Sequence, residues 1–398
     1  MEKRKITIIG AGIGGLTLAY ALARCGRFDI TVISAKDADD VRNGRLLSTQ
    51  GHFERLLKTE QRHEMPDYGE AYDFKSIELM MEGRSLFKGN LNERAISMDQ
   101  RLYLSTMING LAAKGIAFVK RRLHGDDLTE LTEQSDLIID CTGKIGPIAP
   151  FTVSNEVCNA PTAPLRVISA GIFRGIKWKS DHTMRYNIIP GLGELFEMVT
   201  ATHGGPAVQF LLEAVPSSPL DLIRGDNGPA AFAEQFKHVL QDHFPHIHER
   251  IDGQSFRLAD DNAYLRTAIK PVVRIPYTTI GSKLVLGCGD SVVINDPITG
   301  QGANCASYCA DMLYEAIAED VEQEWDQAFG ERYWQRIRNY VIRMSEWSNA
   351  MMGPPSAHFG ALMEQASKDQ RAADQLVQLF SDPVQAHAAF FTGVALSN

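Results

Sequence analysis

Residues Lys5 to Tyr20 read KITIIGAGIGGLTLAY, and the fold turns on them. Lys5 to Ile9 is a short run of apolar and β-branched residues, the composition of a strand. GAGIGG comes next. LTLAYALARCG (Leu16 to Gly26) then continues with helical spacing until a glycine stops it. DITVIS (Asp29 to Ser34) is a second strand-like segment. The chain therefore opens strand, turn, helix, strand, with Gly10, Gly12 and Gly15 in G-x-G-x-x-G register. Alone, that pattern is weak. Between a strand and a helix it describes a dinucleotide-binding turn. Gly10 permits the tight bend, Gly12 lets a pyrophosphate approach the backbone, and Gly15 lets helix and strand pack closely.

An acidic residue usually closes the second strand of such a unit and holds a ribose. Here the segment reads VISAKD, with Ile33, Ser34 and Ala35 in the acid's place and Asp37 a few residues late. A simple NAD reading loses weight, and an adenosine ribose would be held in another way.

Beyond Lys36 the pattern is irregular until about Arg101, although IELMMEG and RSLFKG predict a strand pair outside the opening unit. RLYLSTMINGLAAKG (Arg101 to Gly115) predicts a helix. IAFVKRRL and DLIIDCTG (Asp136 to Gly143) return to strands. RVISAGIFRGIKW, TMRYNIIPG, GELFEMVTAT and AVQFLLEAV predict successive strands of an antiparallel sheet, and PAAFAEQFKHVLQDHF (Pro229 to Phe244) a helix. KLVLGCGD leads back to the first domain. From about Val321 the chain is helical and amphipathic, interrupted at MMGPP (Met351 to Pro355). The expected fold class is α/β with an α+β insertion. A Rossmann-type nucleotide-binding domain is assembled from residues 1–48, 96–165 and 275–320, and an antiparallel-sheet substrate domain from 49–95 and 166–274. A helical C-terminal region occupies 321–398. The cleft between the two domains is the default ligand site.

Asp296 to Asn304 reads DPITGQGAN and precedes a helix-like CASYCADMLYEAIAED. A loop poor in side chains at the start of a helix exposes backbone N–H groups and favours an electron-rich ligand.

Composition narrows the function class. The 398 residues carry a formal charge of −9, with 44% hydrophobic and 22% charged residues, which is ordinary globular usage. The acidic balance and the lack of a basic, aromatic-interleaved patch argue against nucleic acid. No apolar run reaches the roughly 20 residues of a membrane span. The start MEKRKITIIGAG enters a strand without a secretory pattern. Six cysteines, with no C-x-x-C and no framework spacing, fit reduced thiols and a cytoplasmic location.

The set GAGIGG, GRLLSTQ, DLIIDCTG and GD followed by DPITGQGAN, in that order, resembles the FAD-dependent aromatic hydroxylase superfamily. Within it the nearest likeness is to the oxygenase component of the two-component styrene and indole monooxygenases, through DPITGQGANCASY, NGRLLSTQ, CTGK, GIFRGIK and GELFE, over roughly residues 1–350. The resemblance implies an enzyme that receives reduced FAD from a separate NADH-dependent flavin reductase. It would form a flavin C4a-hydroperoxide with O₂ and epoxidise an electron-rich aromatic alkene or the C2–C3 bond of indole. It also implies that Asp296, Pro297, Gly300, Gln301, Gly302 and Asn304 line the flavin ring. Asp290 would bind the ribityl chain, and Arg45 and Arg101 would lie near the ribityl or phosphate region. Leu46, Leu47, Ser48, Thr49 and Gln50, with Pro271, would form the substrate pocket. Ser48 and Gln50, together with Ala95 and Ile77, lean toward indole, with styrene accepted; His52 departs from the indole-type pattern. A single-component NAD(P)H-dependent aromatic hydroxylase is the alternative, disfavoured because DLIIDCTGK lacks the fuller signature of nicotinamide use. A flavin-binding protein without monooxygenase activity is a third option. A homodimer is left open.

Other signals are set aside. HFPHIHER offers His246 and His248 two apart on a strand, but no third ligand group accompanies them, so no metal site is expected. Cys305 and Cys309 read as small core residues. KWK (Lys177 to Lys179) matches only part of a flavin halogenase signature, and KRR (Lys120 to Arg122) is a solvated strand end.

Overall fold

The computed structural model describes residues 3–69, 72–143, 147–179, 181–320 and 323–392. Lys144 of the CTGK segment and Val321, the expected start of the tail, lie outside the described residues. The opening unit forms as the glycine spacing requires. Strand Arg4–Ile9 runs into helix Ile13–Cys25, which ends at Gly26 in the left-handed region (φ 69°), and strand Phe28–Ser34 follows in parallel register. These strands lie centrally in a six-stranded sheet whose order is Tyr277–Ile280, Lys283–Gly287, Leu137–Asp140, Arg4–Ile9, Phe28–Ser34, Ala117–Lys120. Every pairing is parallel except the first, an antiparallel hairpin at the edge. The near-continuous apolar runs of the central strands match a sheet covered on both faces.

The second sheet runs Arg257–Leu258, Val167–Arg174, Ala207–Ala214, Gly193–Thr200, Thr183–Ile189, Asp73–Met81, Arg84–Asp99, Thr49–His52, and Tyr264–Ala268 also pairs with Val167–Arg174. The expected pair IELMMEG and RSLFKG is a hairpin closed by Glu82 (φ 48°) and Gly83 (φ 79°), two left-handed residues that suit the twist of the strands. Two details depart from a simple antiparallel insertion. Asp73–Met81 joins Thr183–Ile189 in parallel. Strand Arg84–Asp99 also runs past residue 95, and its last four residues pair with Thr49–His52.

Strand Ala207–Ala214 is buried along its whole length because both its faces are covered. Phe210 and Leu212 pack on Phe232 and Phe236 of helix Gly228–His243, while Leu211 looks toward Ile298 and the C-terminal helices. HFPHIHER adopts the short helix Pro245–His248 rather than a strand, and His246 Nε2 contacts Asn187 Oδ1 at 3.0 Å. Among the described residues no cluster could hold a metal ion and no helix is long and apolar enough to cross a membrane.

The tail is part of the core. Helices Gln327–Met351, Ala357–Ala366, Gln370–Gln378 and Pro383–Thr392 contribute Trp347, Ala373, Leu376, Val377, Ala389 and Phe390 to the apolar cluster on the second sheet. The approach is close: a Cβ on Gly89 would sit 2.3 Å from the carbonyl oxygen of Ala373.

Candidate active site

The glycine turn is built for a backbone-bound ligand. Gly10 has φ +106°, and a Cβ there would lie 2.2 Å from the Cys141 carbonyl oxygen; one on Gly15 would lie 2.3 Å from the Gly10 carbonyl oxygen. Gly12 is different, since nothing lies within 4 Å of its missing Cβ. The helix begins at Gly12 with no side-chain cap, so its first N–H groups are unclaimed by any side chain next to that open space. The acid that normally holds a ribose is not replaced by Asp37. Asp37 caps helix Ala38–Arg42 through the Asp40 N–H (2.9 Å), and its other oxygen binds Lys120 Nζ at 2.9 Å.

A second uncapped helix start faces the same region of the fold. Strand Lys283–Gly287 leads into a short turn, Gly289–Ser291, that carries the exposed Asp290. Val293–Ile294 then pairs with Val272–Val273, which sets the buried Pro271 close in the chain to a strand flanking the loop. Asp296 caps the turn Pro297–Thr299 by accepting the Ile298 N–H at 3.1 Å. Gly300 (φ 66°) turns the chain into helix Gln301–Glu319 without a side-chain cap. Gly302 meets only Asn295 Oδ1, 3.7 Å from its missing Cβ.

Asn304 ties this loop to the segment that contains Ser48 to Gln50. Its Oδ1 accepts the Phe53 N–H at 2.9 Å, and its Nδ2 donates to the Gly51 carbonyl at 2.9 Å and the Gly300 carbonyl at 2.8 Å. Within the segment, Arg45 is exposed and lies over the Tyr264 ring, with Leu46 buried against Ile172, Ala207 and Ala263. Leu47 is exposed, and Ser48 and Thr49 are half-buried. The Ser48 hydroxyl donates to the Thr49 carbonyl at 3.1 Å. Gln50 is buried with its Oε1 3.1 Å from His52 Nε2, and both residues share a strand face with Met98 and Ile96.

Two of the expected flavin-binding residues have side chains bonded to protein groups. Arg101 is buried and spends its guanidinium on protein. Nε and Nη2 bind Asp99, Nη1 and Nη2 bind Asp260 at 2.8 Å each, and Nη1 reaches the Gly44 carbonyl. With all five N–H donors engaged, it anchors the turn before Arg45 instead of offering a free phosphate fork. The Gln301 side chain donates to the carbonyls of Thr299 (3.0 Å) and Phe380 (2.8 Å), so it fastens the loop to the tail.

The sheet face opposite Ile298 is apolar. Ile77, Ala95, Met184, Tyr186, Phe196, Met198 and Leu211 form one cluster with Phe53, Ile298 and Trp347. Ile77 and Ala95 thus belong to a single surface. At one end of that face Asp296 meets three buried residues that sequence reasoning missed, Glu194, Glu213 and Arg166. Burial pushes Glu213 well above the carboxylate range, reinforced by Asp296, and also raises Glu194 and Asp296. The available signal was the presence of acids inside the apolar strands GELFE (Glu194 and Glu197) and FLLEAV (Glu213). A surface cavity of about 930 Å³, with Lys58, Arg62, Asp311 and Arg371 among its lining, contains none of the residues singled out above.

Comparison with known proteins follows this geometry. The styrene monooxygenase A substrate binding domain model matches residues 143–250, and the NAD(P)-binding Rossmann-like domain model matches residues 8–38. Styrene monooxygenase StyA of a Pseudomonas species is 30% identical over 393 residues, 96% of this chain and 94% of that protein. StyA of Pseudomonas fluorescens matches with the same identity and coverage. The chain belongs to the styrene monooxygenase family.

Solved structures agree in fold. PqsL of Pseudomonas aeruginosa, in complex with 2-aminobenzoylacetate, has a TM-score of 0.63 at 14% identity over 98% of this chain and all (100%) of that one. The tetrameric form of 2-methyl-3-hydroxypyridine-5-carboxylic acid oxygenase has a TM-score of 0.58 at 14% identity over 97% of this chain and 98% of that one. As a styrene monooxygenase family member the chain is the oxygenase component of an FAD-dependent monooxygenase. The open side of Gly12 and the uncapped helix starts at Gly12 and Gly300 fit a flavin dinucleotide.

Proposed function

We propose that this oxygenase takes reduced FAD from a separate NADH-dependent flavin reductase and epoxidises an electron-rich aromatic alkene, with the C2–C3 bond of indole favoured and styrene accepted. Reduced FAD, when bound, supplies the activation of O₂. Gly10, Gly12 and Gly15 admit the pyrophosphate, and Asp290 takes the ribityl chain. The loop from Asp296 to Gly302 turns its backbone N–H groups to the flavin ring, with charge favoured there by the uncapped helix start.

The observation that carries this reading is the Asn304 clamp, which joins the Ser48 segment to that loop beside the apolar sheet face. Phe53, Tyr186, Phe196, Met198, Ile298 and Trp347 keep water out and offer a flat aromatic substrate a greasy wall. Ser48 is the residue proposed to read an indole N–H. Its own hydrogen goes to the Thr49 carbonyl, which leaves the hydroxyl oxygen to act as an acceptor, and styrene has no such N–H. Gln50 is committed to His52 and supports the segment from behind. Leu46, Leu47, Thr49 and Pro271 complete the proposed pocket. A location in the cytoplasm follows from this reading, since a cytosolic reductase would feed the enzyme.

The test is a single turnover of the purified chain with chemically reduced FAD and O₂, without NAD(P)H, on indole and on styrene. Indigo and styrene oxide, with indole turned over faster, are expected. Activity only when NAD(P)H is added to the chain alone would replace this reading with a self-sufficient hydroxylase.

A further inference from the structure

Three carboxyl groups and one guanidinium are buried together where the second sheet meets the Asp296 loop. Glu194 and Glu213 are direct cross-strand neighbours. Arg166 binds Glu194 through Nε (2.9 Å) and Nη2 (2.7 Å) and also donates from Nη2 to the Met352 carbonyl at 2.8 Å. The nearby cation is therefore spent on Glu194, and Glu213 is left facing Asp296. Neither oxygen of Glu213, nor Oδ2 of Asp296, receives a hydrogen from any group among the described residues. Two carboxylates repel and cannot bond, whereas one proton between them makes a hydrogen bond. Tyr186, on the adjoining strand, also looks onto this group, and burial keeps its phenol neutral. Asp296 meanwhile holds the loop by its other oxygen, through the Ile298 N–H.

We propose that Glu213 is a positioning residue that holds one proton against Asp296, so that the loop receives anionic reduced flavin with one buried negative charge behind it and not two. The inference rests on the flavin-loop reading above. With Arg166 and Glu194 cancelling, the protonated pair carries a single charge; loss of the proton doubles it in a poorly screened site. The reduced flavin ring is an anion at neutral pH, while the oxidised ring is neutral, so only the reduced form senses the change.

The experiment measures the affinity of full-length protein for oxidised FAD and, anaerobically, for dithionite-reduced FAD, by flavin fluorescence from mildly acidic to alkaline pH. Wild type, Glu213→Gln and Asp296→Asn are compared. In wild type, the Kd for reduced FAD is expected to rise about tenfold toward alkaline pH, the effect of one added like charge. The Kd for oxidised FAD should stay level. Glu213→Gln has no proton to lose and should hold reduced FAD without that rise, whereas Asp296→Asn, which leaves Glu213 able to ionise, should bind reduced FAD more tightly at low pH and keep a rise. The flavin's own ionisation acts in all three proteins and cancels. The same alkaline rise in Glu213→Gln, or equal pH dependence for the two redox forms, overturns the proposal while leaving the flavin site intact. Failure of wild type to bind either form overturns both.

Discussion

The side-chain amide of Asn304 holds the backbone of Phe53, 251 positions earlier, by accepting its N–H at 2.9 Å, and donates to Gly51 and Gly300. One side chain thereby fixes the gap between strand Thr49–His52 and the Asp296 loop. Asn304→Ala strands the Phe53 N–H in a buried setting, and a loss of about 2 kcal/mol is expected. Asn304→Asp keeps the acceptor and loses both donations, so it should fall between. Urea unfolding of FAD-free protein reads the stability, and FAD titration reads the gap. Wild-type values for Asn304→Ala on both would dispose of the clamp.

Arg101 separates scaffold from ligand contact. Asp99 is buried beside it and Asp260 is half exposed. Arg101→Ala leaves Asp99 buried without its cation and should cost about 3 kcal/mol even without FAD. Asp260→Asn removes a partner at the surface and should cost under about 1 kcal/mol. If FAD-free Arg101→Ala unfolds at the wild-type urea concentration and loses only flavin affinity, the residue is a phosphate or ribityl ligand after all.

The nucleotide unit was readable because its constraints are local. Gly15 answers to the Gly10 carbonyl five residues back, the strand-turn-helix order frames the three glycines even though Gly10 itself abuts the distant Cys141, and the DPITGQGAN loop carries its own turn chemistry. The acid group was not readable, because strand Ala207–Ala214 is covered on both faces and alternation no longer sorts polar residues toward water. Glu213 inside FLLEAV gains meaning only from Asp296, 83 positions later, which no periodicity reports. Arg101 looked like a ligand by position, and its engagement by Asp260 likewise required the fold. The tail read as amphipathic helices, but Gln301 bonding the Phe380 carbonyl was invisible from spacing.

Ser48 is expected to set the choice of substrate. Ser48→Ala removes the acceptor for an indole N–H and should lower kcat/KM for indole about tenfold, one hydrogen bond's worth, with styrene unchanged. Ser48→Asn should also move preference from indole toward styrene. The ratio of kcat/KM for the two substrates in each variant is the measurement, and a constant ratio would remove Ser48 from the pocket.

Gly89 tests whether the tail is integral. An added methyl meets the backbone carbonyl of Ala373 at 2.3 Å, with the Val377 side chain as a further neighbour at 2.8 Å. Gly89→Ala should therefore lift helix Gln370–Gln378 and cost about 2 kcal/mol, although the residue is in a strand, where alanine is normally at least as good as glycine. Hydrogen exchange should show faster exchange in residues 370–378. A variant as stable as wild type would mean that the tail yields freely and does not seal the apolar face.

The Glu213 and Asp296 pair also makes stability depend on pH. Both carboxyls have folded-state pKa values raised by burial, and for Glu213 the neighbouring Asp296 adds to it. The folded chain thus retains a proton that the unfolded chain has already released at neutral pH. Since the native state binds more protons, stability falls as pH rises from the ordinary carboxylate range toward the raised value of the pair. Glu213→Gln removes that retained proton and should flatten the decline. Melting temperatures of wild type and variant across that interval measure it. A parallel decline in both would show that the proton resides elsewhere, and a decline on the acid side only would reverse the sign and place two ionised carboxylates in the folded state.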